Sequence, residues 1–289
     1  RENKAEKDKV NMNYIDFFRG KRITVMGLGI LGRGVGVAKF LVECGAKLVV
    51  TDLKTEKQLA SSLIKLSAKG GSASGGKNIK YILGQHELSD FRNKDMIIKA
   101  AGVPLVSPYI REARKNKIPV EMDASLFAKL SMSDIDIIGV TGTRGKSTVT
   151  HLIYAILQES FKNTKRKVYL GGNVKGIATL PLLKVIKPRD VIVMELDSWQ
   201  LQGFGDANLP AGKAGISPHV AVFTNLMNDH MNYYRGSTKR YFADKVNIFK
   251  YQNKNDFLIV GKMANEAIRK FFKGKIKSRI IVANPDVAL

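Results

Sequence analysis

Short apolar runs along the chain alternate with segments whose apolar residues recur every three or four positions. Residues 22–26 and 47–51 read as strands with a helix at 31–44 between them, and 56–68 reads as a helix from the spacing of Leu59, Leu63 and Leu66. A glycine- and serine-rich stretch at 70–76 predicts a flexible loop. Strands follow at 79–83 and 95–100, with helices at 107–116 and 122–130. The polar residues 131–134 mark the expected domain boundary, because a new apolar strand begins at Ile135. The pattern then repeats: a helix from Lys146, strands near Val168 and at 191–195, 219–225 and 257–260, and a helix over 238–251. No internal sequence repeat accompanies it. This alternation predicts an α/β protein of two domains, each a parallel sheet covered by helices.

Composition narrows the class. The 289 residues, 44% hydrophobic, suffice for two α/β domains of ordinary size. One cysteine, Cys44, excludes a disulfide framework and reads as a small buried helix residue in a reducing compartment. The first ten residues are charged rather than apolar, and no run approaches the length of a membrane span. The expectation is a soluble cytoplasmic protein. Its net charge of +23 suggests nucleic acid, but the lysines are scattered and no aromatic platform is interleaved with arginines. A generally basic, solvated surface that draws in anionic substrates is the reading adopted.

The most chemically informative stretch is Gly139-Val-Thr-Gly-Thr-Arg-Gly-Lys-Ser-Thr148, where an apolar strand enters a glycine-rich turn that opens a helix. In such a turn, backbone N–H groups of Gly142, Thr143, Arg144, Gly145 and Thr148 can converge on phosphates. Lys146 can reach the outer phosphates, and the Ser147 hydroxyl can join the shell of a Mg²⁺ ion. The general G-x-x-x-x-G-K-[ST] pattern fails by one position, because Val140 stands where a glycine is required. A second glycine turn, Gly27-Leu-Gly29-Ile-Leu-Gly32, lies between the first strand and helix, with Asp52 ending the next strand. That arrangement fits a dinucleotide fingerprint, any nucleotide diphosphate at a helix N-terminus, or a purely structural turn.

Two more constellations sit at strand ends. Glu195, just past an apolar strand, is placed to hold Mg²⁺ or to serve as a helix N-terminal carboxylate. Asp229-His230 could bind a metal, orient a phosphate or be hydrogen-bonded structure. Lys245 lies on a helix whose Tyr241, Val246 and Phe249 face the core, and residue pattern alone makes it a solvated lysine.

Together these residues resemble the Mur ligases of peptidoglycan synthesis and their folylpolyglutamate synthetase relatives, over essentially the whole chain. The family's ATP loop reads like residues 139–148, which accounts for the missing glycine. Glu195-Leu-Asp-Ser-Trp-Gln-Leu201 looks like the member that adds D-glutamate, and Gly171-Gly-Asn173, the run from Asn225 to His230, and Lys245 resemble further family segments.

The resemblance implies a Rossmann-like UDP-substrate domain at 17–132 after a charged extension at 1–16, and a P-loop-type ATP domain from 133 to 289. Gly29, Ile30, Leu31, Asp52, Leu53 and Gly102 would contact UDP, with Asn173 and His230 nearer the muramoyl part. Lys146, Glu195, His230 and Lys245 would be catalytic. Ser147 and Glu195 would hold one Mg²⁺, and His230 and a carbamylated Lys245 would serve a second. The implied enzyme is a monomer whose partners are ATP, UDP-N-acetylmuramoyl-L-alanine and D-glutamate, with no nucleic acid or membrane. The substrate carboxylate would attack the γ-phosphorus of ATP, and the amine would then displace phosphate from the acyl phosphate.

Three departures stand out. Asp197 replaces a usual serine, with repulsion or an extra metal contact expected; Asn232 replaces a common aspartate; and 203–217 reads as an unusually long surface loop. The chain ends within the expected central domain, so its C-terminal domain is expected to be lacking and its turnover alone to be poor. Other readings are a relative adding a different amino acid, an NAD-dependent oxidoreductase resting on the first turn, and a nucleic-acid-binding ATPase.

Overall fold

The structure, a computed structural model, describes residues 9–67, 78–131, 135–205 and 215–283. The chain forms two compact units, Arg1–Ser131 with Lys175–Val185, and Met132–Val174 with Ile186–Leu289. The excursion of 175–185 into the first unit is absent from the linear two-domain reading.

In the first unit, α1 (Lys9–Phe18) leads into β1 (Arg22–Met26), α2 (Arg33–Glu43), β2 (Lys47–Asp52), α3 (Glu56–Ser67) and β3 (Ile79–Leu83). These are followed by β4 (Met96–Lys99), α4 (Pro108–Lys115), β5 (Val120–Glu121) and α5 (Asp123–Ser131). The sheet is wholly parallel in the order β3-β2-β1-β4-β5. Chain order reverses between β1 and β4, so the crevice outside their carboxyl ends is where such a sheet presents a ligand. Met26, Phe91, Ile97, Ile110 and Val120 form one core cluster.

Part of the expected charged extension is helix α1. Phe18 is fully buried and edge-on to Phe40, and Tyr14 stacks on Phe40 at 5.6 Å. Its charges hid an apolar stripe in Tyr14, Phe17 and Phe18. The two-residue β5 is too short to carry a period.

The second unit contains β6 (Asp136–Thr141), α6 (Lys146–Ser160), β7 (Val168–Gly172), β8 (Val191–Glu195), α7 (Ser198–Leu201) and β9 (Val220–Phe223). It continues with α8 (Thr238–Lys245), β10 (Phe257–Gly261), α9 (Lys262–Phe271) and β11 (Arg279–Ala283), giving a parallel sheet in the order β11-β10-β9-β6-β8-β7. β6 is central, and every residue of β8 is buried. The helix expected over 238–251 stops at Lys245 and tightens into a 3₁₀ turn, Val246–Ile248. Just beyond, a hydroxyl is inserted where the next helical bond would form: Ser217 Oγ donates to the Asn247 carbonyl at 2.8 Å and accepts from Tyr251 N–H at 3.1 Å, so the helix does not continue to 251.

Of the loop expected at 203–217, Gly203 and Phe204 are instead buried in a 3₁₀ turn, while 206–214 lies outside the described residues, as does the whole glycine-rich stretch 70–76. Among the described residues no helix is long and apolar enough to cross a membrane. Cys44 is buried at the end of α2, and burial pushes its thiol up to about 11, as an inert core residue requires.

Candidate active site

The second unit gathers its chemistry at the carboxyl ends of β6, β8 and β9. The turn after β6 is compact because Gly142 has φ 151° and passes so close to Thr224 that a Cβ would collide with the threonine Oγ1. The neighbouring strand end braces it. Thr143 N–H donates to the Asn225 carbonyl at 3.0 Å, Arg144 N–H to Asn225 Oδ1 at 2.9 Å, and Met227 N–H to Thr143 Oγ1 at 2.9 Å. Gly145, in the left-handed region at φ 78°, starts α6, so Lys146, Ser147 and Thr148 form its first turn where free N–H groups and the helix dipole favour an anion. Lys146 Nζ donates to the Thr143 carbonyl at 3.0 Å and so lies over the turn.

Glu195 closes β8 and is 5% exposed; Asn173 Nδ2 donates to its Oε1 at 3.4 Å, and Asn173 N–H donates to its carbonyl at 2.6 Å. The register of β8 between β6 and β7 therefore brings together Asn173, Glu195 and the phosphate turn. Asp197 caps α7, its Oδ1 accepting Gln200 N–H at 2.7 Å.

Lys245 corrects the solvated reading outright. It is 1% exposed, donates to the Gly142 carbonyl at 2.8 Å and to Thr141 Oγ1 at 3.3 Å, and sits 4.8 Å from the Tyr241 ring centroid. Burial first, then the charge of Lys146, pushes its amine down to about 7, against the pull of Asp197, Asp229 and Asp244. Mg²⁺ takes oxygen ligands, so a metal-ligand role at Lys245 would require its CO₂ adduct. His230, held at φ 54°, packs its ring 4.6 Å from Trp199. Its N–H donates to Asp229 Oδ1 at 2.9 Å.

Oxygen donors at Ser147 and Glu195 suit Mg²⁺, which takes one or two carboxylates plus phosphate oxygens. Among the described residues no group of three or more His, Cys, Asp or Glu forms a closed metal cage, and a phosphate-assisted site needs none. A separate cleft of about 650 Å³ lies at the opposite, amino ends of the strands, lined by Asp136, Arg189, His219 and Asp256 among others. It is remote from the phosphate turn.

In the first unit, the turn after β1 enters α2 through Gly32 at φ 87°. A Cβ on Gly34 would strike the Leu28 carbonyl, so this first helical turn closes only over glycine. Asp52 is 6% exposed and its oxygens are engaged by the loop: Oδ2 accepts Gly29 N–H at 2.8 Å and Oδ1 accepts Lys54 N–H at 2.9 Å. The carboxylate thus ties two loops together rather than standing free for a ribose diol. Ile30, Leu31 and Leu53 are 52%, 62% and 66% exposed around that turn, an apolar rim suited to a planar base. Gly102 is exposed just beyond β4, with open space around it.

A profile of the Mur ligase middle domain matches residues 140–284, and one of the Mur ligase MurD-like N-terminal domain matches residues 21–121. The chain belongs to the Mur ligase family. This Mur ligase is 36% identical over 269 residues to the UDP-N-acetylmuramoylalanine–D-glutamate ligase of Borreliella burgdorferi (strain ZS7), covering 93% of the chain and 53% of that protein. It is 36% identical over 237 residues to the ligase of that name from Roseiflexus sp. (strain RS-1), covering 82% and 46%. The chain therefore spans about half the length of the curated relatives it matches. The crystal structure of the UDP-N-acetylmuramate:L-alanyl-gamma-D-glutamyl-meso-diaminopimelate ligase from Neisseria meningitides superposes with TM-score 0.56 at 16% identity, over 91% of this chain and 78% of that one, and shows the shared fold.

Sequence reasoning did not assign Asn225, Thr141 or Trp199 to the site of this Mur ligase. Asn225 follows β9, the strand hydrogen-bonded beside β6, so sheet order was the signal that would have placed it. Trp199 reaches His230 from α7 across a sequence gap that no periodicity spans.

Proposed function

We propose that this chain carries the sugar-nucleotide and ATP sites of a ligase that joins D-glutamate to UDP-N-acetylmuramoyl-L-alanine. One observation carries the reading: two glycine turns, each opening a helix at the carboxyl end of a parallel sheet, stand in separate units, and only the second has a lysine lying over it. A dinucleotide oxidoreductase would leave the Lys146 turn without a task. The first turn would hold the diphosphate through backbone N–H groups, with the rim of Ile30, Leu31 and Leu53 against the base.

The second turn would hold ATP. The substrate carboxylate and the triphosphate are both anionic, so the first step needs positive charge fixed in advance. Lys146 and the N–H groups of 142–148 would supply it. Mg²⁺, held by Ser147 and Glu195, would neutralise charge on the phosphate oxygens. Attack of the carboxylate oxygen on the γ-phosphorus expels ADP; attack of the D-glutamate amine on the resulting acyl phosphate expels phosphate, and the nitrogen gives up its proton. Asn173 and His230 would orient the muramoyl end. The half-neutral amine of Lys245 is reactive toward CO₂: its nitrogen bonds the carbon, loses a proton, and leaves a carboxylate-like anion where a cation stood. We place the enzyme in the cytoplasm as a monomer.

The test is phosphate release from ATP with UDP-N-acetylmuramoyl-L-alanine, comparing D-glutamate with L-alanine and a diamino acid, in the protein at its full natural length. Release that is indifferent to the sugar nucleotide would overturn the assignment, and preference for another amino acid would move it within the family.

A further inference from the structure

Segment 175–185 leaves the second unit's sequence to pack with the first, and it runs along the whole of α2. At the start of that helix, Arg33 Nε reaches the Ile177 carbonyl at 3.4 Å, and the Gly176 carbonyl lies 3.9 Å from where a Gly32 Cβ would be. In the middle, a Cβ on Gly36 would be 2.7 Å from the Ala178 Cβ. Glycine inside a helix costs about 1 kcal/mol relative to alanine, so the close approach of the segment explains a residue the helix itself disfavours. At the far end, Lys184 pairs with Glu43 and lies 5.6 Å from the Phe40 ring centroid.

The anchor is Asp123, the first residue of α5. Its carboxylate is buried and takes two consecutive backbone donors: Thr179 N–H to Oδ2 at 2.8 Å and Leu180 N–H to Oδ1 at 2.7 Å. Thr179 and Leu180 are themselves fully buried. A buried carboxylate is expensive unless its oxygens are hydrogen-bonded, and here the segment supplies those bonds.

We propose that Asp123 is a positioning residue for the sugar nucleotide: by clamping 175–185 along α2, it fixes the wall formed by Gly176 and Ile177 at the N-terminus of α2. The inference rests on the proposed use of that N-terminus as the diphosphate cradle. It adds a residue that no glycine motif contains.

The experiment uses Asp123→Asn in the full-length enzyme, with calorimetric binding of UDP-N-acetylmuramoyl-L-alanine and of a non-hydrolysable ATP analogue measured separately. Asparagine keeps one acceptor and turns an N–H₂ toward the other donor. The sugar-nucleotide Kd is expected to rise by about tenfold or more, since a hydrogen bond to a charged group is lost, while the ATP-analogue Kd stays within about twofold. Gly36→Ala tests the same contact independently of the carboxylate: it favours α2 while pushing Ala178 away, and the same one-sided loss is expected. Hydrogen exchange at 176–182 should accelerate in both variants. A variant that folds and exchanges faster there yet binds the sugar nucleotide with unchanged Kd overturns the positioning role, as does equal weakening of both ligands. Failure of the unsubstituted enzyme to bind the sugar nucleotide would instead overturn the functional reading beneath it.

Discussion

The buried amine of Lys245 yields a stability prediction that does not depend on substrate. Its pKa falls from 10.5 in an exposed lysine to about 7, and the side chain is 1% exposed, so solvent screening does not dilute the shift. Between those two values the unfolded chain holds a proton that the folded chain has released. Stability therefore rises with pH across the window, by up to about 1.4 kcal/mol per pH unit, and is lost as pH falls back toward 7. Working the two protonation equilibria through from pH 7 to pH 9 gives a gain of about 2 kcal/mol from this one group.

Lys245→Met removes the titration while keeping an unbranched apolar stem. It also loses the bonds to the Gly142 carbonyl and Thr141 Oγ1, but that cost is far less dependent on pH than the titration itself. The assay is urea unfolding of both proteins at pH 7, 8 and 9 in CO₂-free buffer, since carbamate formation would withdraw the amine from titration. The expected result is that the difference in unfolding free energy, unsubstituted minus variant, grows by about 2 kcal/mol over the range. A difference that stays flat within about 0.5 kcal/mol would refute a neutralised buried amine, and with it the physical basis for CO₂ reactivity at this position.

The remaining predictions separate the two cradles and test the fold. Lys146→Ala should reduce ATP-dependent product formation by about a hundredfold or more while leaving sugar-nucleotide binding within twofold. Asp52→Ala should weaken sugar-nucleotide binding while leaving the Kd of an ATP analogue within twofold, because the carboxylate that accepts Gly29 N–H and Lys54 N–H is lost and the first turn slackens; equal effects of both substitutions on one ligand would refute the two-site assignment. Gly142→Ala should abolish binding of an ATP analogue with the far-ultraviolet circular dichroism unchanged, since the added carbon meets Thr224 Oγ1 in the turn. Phe18→Ala should cost about 3–5 kcal/mol in chemical denaturation, as expected for a fully buried aromatic, and a loss under about 1 kcal/mol would return α1 to a dispensable extension.

Much of the architecture was legible in the sequence because a buried parallel strand needs an apolar run, and β2 and β8 have one with polar punctuation on either side. What was illegible has two physical causes. Some elements are shorter than their own period or carry charges over an apolar stripe: β5 has two residues, and α1 shows its hydrophobic face only once Phe18 and Tyr14 meet Phe40. Other features are made by partners distant in sequence. The interrupted ladder between Asn247 and Tyr251 depends on a hydroxyl from Ser217, the bracing of the turn after β6 on Asn225, and the placement of 175–185 on a carboxylate at 123. Lys245 belongs to this second group: nothing in a helical lysine predicts burial until the Gly142 carbonyl is seen to accept from it.

The two cradles share a backbone device and differ in what surrounds it, and that difference divides their tasks. At the first, the buried charge is a carboxylate spent on its own loops, so the cradle offers an anion little beyond N–H groups and the helix dipole. Such a site can hold a diphosphate but does little to stabilise charge moving off a phosphorus atom. At the second, Lys146 lies over the turn and Lys245 lies beneath it, and the charge of Lys146 disfavours that of the buried Lys245. An anion arriving at the turn would relieve that repulsion and draw Lys245 toward its protonated form, whereas reaction with CO₂ needs it neutral. It follows that a CO₂ adduct would form most readily before the nucleotide binds, and that bicarbonate supplied ahead of ATP should label Lys245 faster than bicarbonate supplied after it, as read by trapping the carbamate chemically and locating it by mass spectrometry. Equal rates in the two orders would mean that the charges of the turn and of Lys245 are not coupled.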